Sequence, residues 1–173
     1  MKEKNNDKSS SELTEVDSGC YVLRAKNDDD ASLDFSHTVA QDFLQFHFCL
    51  KGQMNFKYNQ GSYTFPLNED HSMLLYNPAK ELPIDVELSP NTWLVSVLIS
   101  ITKFHARCSS DADHIPFLSA ENTAKKYYDN LPFTSSIAVV LSQVLQSKIH
   151  DSIKALYIKG KVYELLSLYF NKS

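Results

Sequence analysis

The segment Phe43–Tyr76, FLQFHFCLKGQMNFKYNQGSYTFPLNEDHSMLLY, decides the fold. Its first part alternates two sets of side chains, Leu44, Phe46, Phe48 and Leu50 against Gln45, His47, Cys49 and Lys51. A period of two is typical of a strand with two unlike faces. Turn residues interrupt the segment at Gly52, at Asn59–Gly61 and at Asn68–Asp70. Short strands at this spacing, with no helix between them, predict an antiparallel β-barrel or jelly roll.

Strands are also predicted on both sides of this segment. Pro83–Leu88 and Trp93–Ile101 alternate in the same way, and Cys20–Arg24 is compatible with an edge strand. After Thr102 the hydrophobic period becomes helical. The predicted helices are a short turn at Lys103–Cys108, then Ala120–Asp129, Ser136–Lys148 and Ser152–Asn171. The expected class is therefore mostly β with C-terminal helices (α+β), an antiparallel barrel followed by an α-helical hairpin.

Three regions follow from this pattern. Residues 1–18 are polar and low in complexity, which predicts a disordered tail. Residues 19–102 form the predicted barrel, and residues 103–173 form a predicted helical dimerisation subdomain. A length of 173 residues with 43% apolar side chains suits one domain with a substantial core.

Charge and cysteine content limit the classes of function. A formal net charge of -4 gives no global field for holding a polyanion, which argues against direct DNA binding. Three cysteines far apart in the sequence suggest no disulfide framework and favour a reducing compartment. Neither a signal peptide nor an apolar run long enough to span a bilayer is apparent. The expectation is a soluble cytoplasmic protein without membrane contact.

The last predicted helix carries apolar residues over roughly half of its circumference, more than a single core requires. One stripe consists of Ile158, Val162, Leu165 and Tyr169, and a second consists of Leu156, Tyr163, Leu166 and Phe170. The first stripe is the candidate homodimer interface, since two-fold dimers are the commonest assemblies. A helix buried on two sides within one subunit explains the pattern equally well.

Catalytic patterns are sparse in this chain. His47 and Cys49 share a strand face, and His71 is the best third metal ligand, but a half-buried imidazole and a buried thiol are the simpler interpretation. The sequence contains no Gly-rich phosphate loop, no G-x-S-x-G turn and no paired acids at a recognisable spacing. We therefore expect no catalytic residues, no metal, no cofactor and no enzymatic activity.

Aromatic and large apolar side chains are concentrated on the predicted strands. A small barrel either fills its interior with such side chains or leaves a cavity for one small ligand. Simple core packing is the better interpretation for any one of them. The candidates for a ligand pocket are Phe46, Phe48, Met54, Phe56, Tyr63, Tyr76 and Trp93.

Several motifs carry a resemblance to a known family. They are F-x-F-C-L-K-G-x-M-x-F-x-Y from Phe46, Y-T-F-x-x-N-E from Tyr63, M-L-L-Y-N-P from Met73, W-L-V-S-V-L-I from Trp93, and Leu156–Leu166. In order and spacing they resemble the N-terminal cupin-like sensor domain of AraC-type transcription regulators, in the subgroup related to the pyochelin regulator. The resemblance covers roughly 42–173.

The resemblance implies a barrel that binds a small-molecule effector, helices that dimerise, and DNA contact through a separate C-terminal helix-turn-helix domain. The chain departs from the family where it ends at Ser173, because that domain would follow there. The expectation is either a sensing domain on its own or a naturally shortened relative. Ala79-Lys80-Glu81 also lacks the histidine of metal-bearing cupins, which implies a metal-free sensor.

Two other interpretations remain open at this point. A free-standing cupin enzyme, an isomerase or oxygenase, would require a bound transition metal held by His47. A pure oligomerisation module would have a filled barrel, no cavity and no ligand-dependent stabilisation.

Overall fold

The computed structural model describes residues 8–107 and 124–171, and it contains two antiparallel sheets and three helices in those ranges. The elements are β1 (Ser9–Asp17), β2 (Cys20–Asn27), β3 (Leu33–His37), β4 (Phe43–Lys51), β5 (Gln53–Tyr58), β6 (Tyr63–Asn68), β7 (His71–Tyr76), β8 (Ile84–Leu88), β9 (Thr92–Ser100), α1 (Ile101–Arg107), β10 (Tyr127–Pro132), α2 (Ser135–Gln146) and α3 (Asp151–Phe170).

The strands form a large sheet and a small sheet that enclose one core between them. The large sheet has the order β1-β2-β9-β4-β7-β10, and the small sheet has the order β3-β8-β5-β6. Apolar side chains of both sheets, among them Leu23, Met54, Phe56, Val86 and Leu94, form the core of the barrel. The predicted antiparallel jelly roll with C-terminal helices is confirmed.

The central strands of the large sheet are buried on both faces. On β4, Leu44, Phe46 and Phe48 belong to the cluster that packs against the helices, while Cys49 belongs to the barrel core. β7 and β9 divide their side chains between the two clusters in the same way. Strands covered on both sides read as nearly continuous apolar runs, which explains the composition of β7 and β9.

The helices form the third layer of the structure. Thr134 caps α2 by accepting a hydrogen bond from the Ile137 amide, and α2 and α3 pack against each other. Tyr169 of α3 lies edge-on to Phe46 and Phe48, with ring centroids 5.4 Å and 6.2 Å apart. Edge-to-face contacts of this kind add to the stabilisation from burial, so the helical hairpin is an integral part of the core.

Three sequence predictions are wrong in the described residues. The disordered tail fails over Ser9–Asp17, because this segment is β1, and Cys20–Arg24 lies in an interior strand because β1 covers its free edge. The predicted helix Ala120–Asp129 fails where it overlaps β10, since Tyr127–Pro132 pairs with β7. Residues 1–7, and residues 120–123 of that helix, lie outside the described residues.

The predicted dimer interface is also corrected. Ile158, Val162, Leu165 and Tyr169 are all buried within the subunit, where they join the cluster on the large sheet. A surface that already covers its own barrel has no area left for a second chain. The alternative from the sequence, burial within one subunit, describes this stripe. Of the second stripe, Leu156 is 71% exposed.

Among the described residues, no helix combines the length and the apolar character needed to cross a membrane.

The two leucine positions on α3 provide a matched test of this packing. We expect Leu165→Ala to lower the free energy of unfolding by about 2–5 kcal/mol, because it opens a cavity against the large sheet. Leu156→Ala, on the same helix, should change it by less than about 0.5 kcal/mol. Urea unfolding of both variants measures the difference, and equal effects would show that α3 does not dock on the barrel through Leu165.

Candidate functional site

The interior of the barrel is filled rather than hollow. Met54, Phe56, Leu67 and Val86 are fully buried in its core, and the ring of His47 lies 4.6 Å from that of Phe56. Interiors packed in this way leave few voids larger than a water molecule. A ligand of the size of a metabolite therefore has no space along the barrel axis among these side chains.

A buried chain of polar groups crosses this interior. The His47 Nε2 lies 3.0 Å from Gln45 Oε1, and its Nδ1 lies 2.6 Å from Ser96 Oγ. Gln45 Nε2 donates to the Leu82 carbonyl oxygen at 2.6 Å. In a neutral imidazole, Nε2 donates to the amide oxygen of Gln45, so Nδ1 accepts from the Ser96 hydroxyl. This series of hydrogen bonds thus links β9 and β4 to the segment between β7 and β8.

Burial determines the protonation state of His47. Its side chain is fully inaccessible, and desolvation lowers its pKa to about 3. The imidazole is therefore neutral at physiological pH. This histidine organises the core and does not exchange protons with solvent.

The candidate metal ligands do not assemble. Cys49 and His71 face each other across β4 and β7, but Cys49 Sγ donates to backbone carbonyls and His71 Nδ1 lies 3.0 Å from the Glu69 carbonyl. Burial raises the pKa of the Cys49 thiol to about 12, so it is not a thiolate. Within the described residues, no group of three or more His, Cys, Asp or Glu side chains is arranged to hold a metal ion.

A groove of about 790 Å³ lies at one open end of the barrel and is here called the tyrosine groove. Its walls are the β5–β6 hairpin, the segment between β7 and β8, and the start of β10. The lining includes Tyr58, Tyr63, Phe65, Tyr76, Tyr127 and Tyr128. It is formed because β10 extends the large sheet beyond β7, where it faces the edge of the small sheet.

The aromatic rings of the groove are ordered by contacts with one another. Phe65 lies 5.6 Å from both Tyr58 and Tyr128, measured between ring centroids. Tyr63, Phe65 and Tyr128 are exposed by 59%, 37% and 48% respectively. Exposed aromatic side chains grouped in a concavity are typical of a surface that binds another molecule. The groove therefore presents preformed aromatic faces.

The hydroxyl groups of Tyr58, Tyr76 and Tyr127 remain protonated at physiological pH, because the pKa of each is raised. Burial is the main cause that raises the pKa of Tyr58, and the electrostatic effect of Tyr128 adds to it. Burial also raises the pKa of Tyr76, with Asp42 contributing, and that of Tyr127, with Asp129 contributing. A phenol can donate and accept a hydrogen bond. The site can thus combine stacking with polar recognition.

The charges of the groove nearly balance. Lys57 is held by Asp34 at 3.3 Å and by Glu87 at 3.7 Å, so its charge is already compensated. Lys80 and Lys126 line the groove together with the carboxylates Glu81 and Asp85. Two cations and two carboxylates give no strong preference for the sign of a ligand.

The structure divides the predicted pocket residues into three groups. Tyr63 and Tyr76 line the groove. Phe46 and Phe48 face the helices instead, and Met54 and Phe56 fill the barrel core. Trp93 lies near the opposite end of β4, where it pairs with Lys51 and its indole donates to Asp28 at 2.7 Å.

Sequence reasoning missed Tyr58, Tyr127 and Tyr128. Tyr127 and Tyr128 were assigned to a helix, although YYDNLP alternates and ends in a proline of the kind found on edge strands. Tyr58 was recognised as part of a strand, but its position before the Asn59–Gly61 turn also places it at the rim. The position beside a hairpin turn could have indicated Tyr58 as a rim residue, and the alternation before Pro132 could have indicated Tyr127 and Tyr128.

Comparison with known proteins identifies a family for this chain. Residues 9–173 match a family model described as the regulatory protein PchR N-terminal domain. A search of the curated proteins finds no match.

Solved structures with a similar fold share little sequence. An RmlC-like cupin protein from Desulfovibrio desulfuricans is 11% identical, covers 55% of this chain and 85% of its own, and has a TM-score of 0.43. A cupin_2 domain of an XRE family regulator from Enterobacter cloacae is 9% identical (54% and 96% covered, TM-score 0.39), and an HTH_3 family regulator from Vibrio cholerae is 8% identical (54% and 51% covered, TM-score 0.40).

Because folding lowers the pKa of His47, the free energy of unfolding should decrease as the pH falls. The unfolded chain binds a proton on this residue below its ordinary pKa of about 6.5, whereas the folded protein does so only below about 3. Stability from this group is therefore complete above pH 6.5 and declines as the pH falls towards 3. Between neutral pH and pH 5 we expect a loss of about 2 kcal/mol.

Urea unfolding across this range measures the loss, and His47→Gln should remove it. An NMR titration provides the direct control, because the ring signals of His47 should not move between pH 5 and 8. A His47 ring that titrates near pH 6 would contradict the assignment of a neutral buried imidazole.

Proposed function

Because the chain belongs to the family of the regulatory protein PchR N-terminal domain, we propose that it is an effector-sensing domain whose effector binds in the tyrosine groove. It would act in the cytoplasm as part of an AraC-type transcription regulator and would reach DNA through a separate domain. The observation that carries this proposal is the groove itself, a preformed aromatic concavity beside a filled barrel.

The dimensions of the groove suit a small molecule. Its volume of about 790 Å³ lies within the range of roughly 300–1,000 Å³ that is usual for ligand sites. Such sites combine apolar and aromatic walls with a few polar groups that fix orientation. Here the rings of Tyr63, Phe65 and Tyr128 supply the walls, and tyrosine hydroxyls and backbone groups supply the polar contacts.

The chemistry of the lining indicates a class of effector. Stacked aromatic side chains favour a flat conjugated molecule, and phenol groups favour one that carries hydrogen-bonding substituents. The near balance of Lys80 and Lys126 against Glu81 and Asp85 argues against recognition by net charge. We expect an aromatic effector with hydroxyl, amide or carboxylate groups.

A route from the groove to the helices runs through β10. Tyr127 and Tyr128 at its start line the groove, and the strand ends at Pro132, only a few residues before α2. Phe133, in this short connection, donates its amide to the Asp70 carbonyl and contacts Phe48 under α3. An effector that prefers one position of β10 would therefore favour one arrangement of the hairpin.

Homodimerisation and the absence of catalysis belong to the proposal but are not tied to particular residues. Homodimerisation remains a prediction from the family resemblance, and the stripe of α3 first chosen for it is buried within the subunit.

The proposal includes no catalytic step, and the rival metal-dependent enzyme is tested by elemental analysis. Stoichiometric iron, zinc or nickel in the purified protein would favour the enzyme.

The groove can be tested with 8-anilinonaphthalene-1-sulfonate, a flat aromatic dye that fluoresces when it is bound. We expect saturable binding to the intact chain, and Tyr63→Ala and Tyr128→Ala should each raise the dissociation constant by about fivefold or more, since each removes a stacking partner. Both positions are exposed, so the fold should survive the change.

Trp93→Ala is the matched control, because this aromatic residue lies near the other end of β4. It should leave dye binding unchanged. A displacement screen with aromatic and aliphatic metabolites then seeks the effector itself. Dye binding that is lost in Trp93→Ala but kept in both tyrosine variants would place the aromatic site elsewhere and overturn the proposal.

A further inference from the structure

A second, smaller cavity lies between the helical hairpin and the large sheet. Its volume is about 120 Å³, several times the roughly 10–15 Å³ that a single water molecule needs. It is lined by the end of α2, the connection to α3, the first turns of α3, and Arg24 of β2. It is distinct from the tyrosine groove, because the two share no lining residue.

Arg24 has unused hydrogen-bonding capacity beside this cavity. Only 13% of its side chain is accessible, and its Nε has no hydrogen-bond acceptor among the described residues. Nη2 lies 2.9 Å from Glu12 Oε2 as an ion pair, and Nη1 reaches the Val144 carbonyl at 3.5 Å. Buried donors without acceptors are costly, and a guanidinium offers them in a fork that matches an oxyanion.

The charges around the cavity favour an anion. Lys148 and Lys154 line it together with Arg24, which gives three positive charges. Glu12 pairs with two of them, at 2.9 Å from Arg24 and 2.8 Å from Lys154. Among the described residues that line the cavity or pair with its lining, three positive charges against one negative charge leave a surplus of two. Ser147 and Tyr157, whose oxygens are 3.0 Å apart, add hydroxyl groups to the lining.

We propose that this cavity is a binding site for a small tetrahedral oxyanion such as inorganic phosphate or sulfate, held by Arg24, Lys148 and Lys154. The volume accommodates one such group and excludes a large ligand. The site would connect β2 to both helices of the hairpin, so an occupied site would stabilise the docking of the hairpin on the sheet. The inference does not depend on the effector groove.

The test is a phosphate titration of the intact protein, with ionic strength held constant by chloride and followed by NMR of the backbone amides. We expect saturable shifts at Arg24, at residues 147–149 and at Lys154, with none at the groove residues 58–63. Lys148→Gln, an exposed substitution that should not affect folding, should weaken phosphate binding by about fivefold to tenfold, because it removes a charge-assisted contact.

Two further variants sharpen the result. Arg24→Lys keeps the charge but removes the fork, and a loss of about tenfold in phosphate affinity is expected. Lys8→Gln removes an exposed positive charge on the chain outside the cavity and should leave affinity unchanged. Shifts that fail to saturate, or equal losses in Lys8→Gln and Lys148→Gln, would mean general charge screening and would overturn the site.

Discussion

The structure depends on one constraint: the central strands of the large sheet must be covered on both faces. β4, β7 and β9 direct one set of side chains into the barrel and the other towards the helices, and nearly all of these are buried. A sheet with two apolar faces cannot leave either of them in water. The small sheet satisfies one face and the α2–α3 hairpin satisfies the other. The apolar excess of α3 follows from this requirement, and it explains why Leu165 and Tyr169 are buried within a single subunit.

The same constraint determines where a ligand can bind. Because side chains from two sheets fill the barrel interior, the space for a metabolite lies at the rim, where β10 extends past the small sheet. The buried chain from Ser96 through His47 and Gln45 reaches Leu82, and Leu82 is part of the groove wall. A rigid core thus positions one wall of the groove, while β10 connects another wall to α2. The cavity beside Arg24 lies in a different place, at the junction of sheet and hairpin.

Sequence patterns were sufficient for the elements with strong periodicity. The strands between Phe43 and Ser100 and the helices α2 and α3 lie close to their predicted bounds, because alternation, turn residues and helical spacing agreed there. The failures occurred where local patterns were weak. β1 is polar because it is an edge strand, and β10 was hidden by a plausible helix before Pro132. On β4 the apolar set Leu44, Phe46 and Phe48 faces the helices, and the more polar set with His47 and Cys49 faces the barrel core, so the apolar face did not mark the barrel interior. For this reason Phe46 and Phe48 were assigned to a pocket, whereas Tyr58, Tyr127 and Tyr128 of the rim were not.

Hydrogen–deuterium exchange followed by NMR tests the central claim most directly. If the large sheet is covered on both faces, the amides in the middle of β4 and β9 should exchange only through global unfolding, with protection equal to the full free energy of unfolding. The groove segments 59–62 and 77–83 should open locally and exchange orders of magnitude faster. Amides of Phe46 and Val97 that exchange as fast as those of the groove segments would contradict a sheet held between two packed layers.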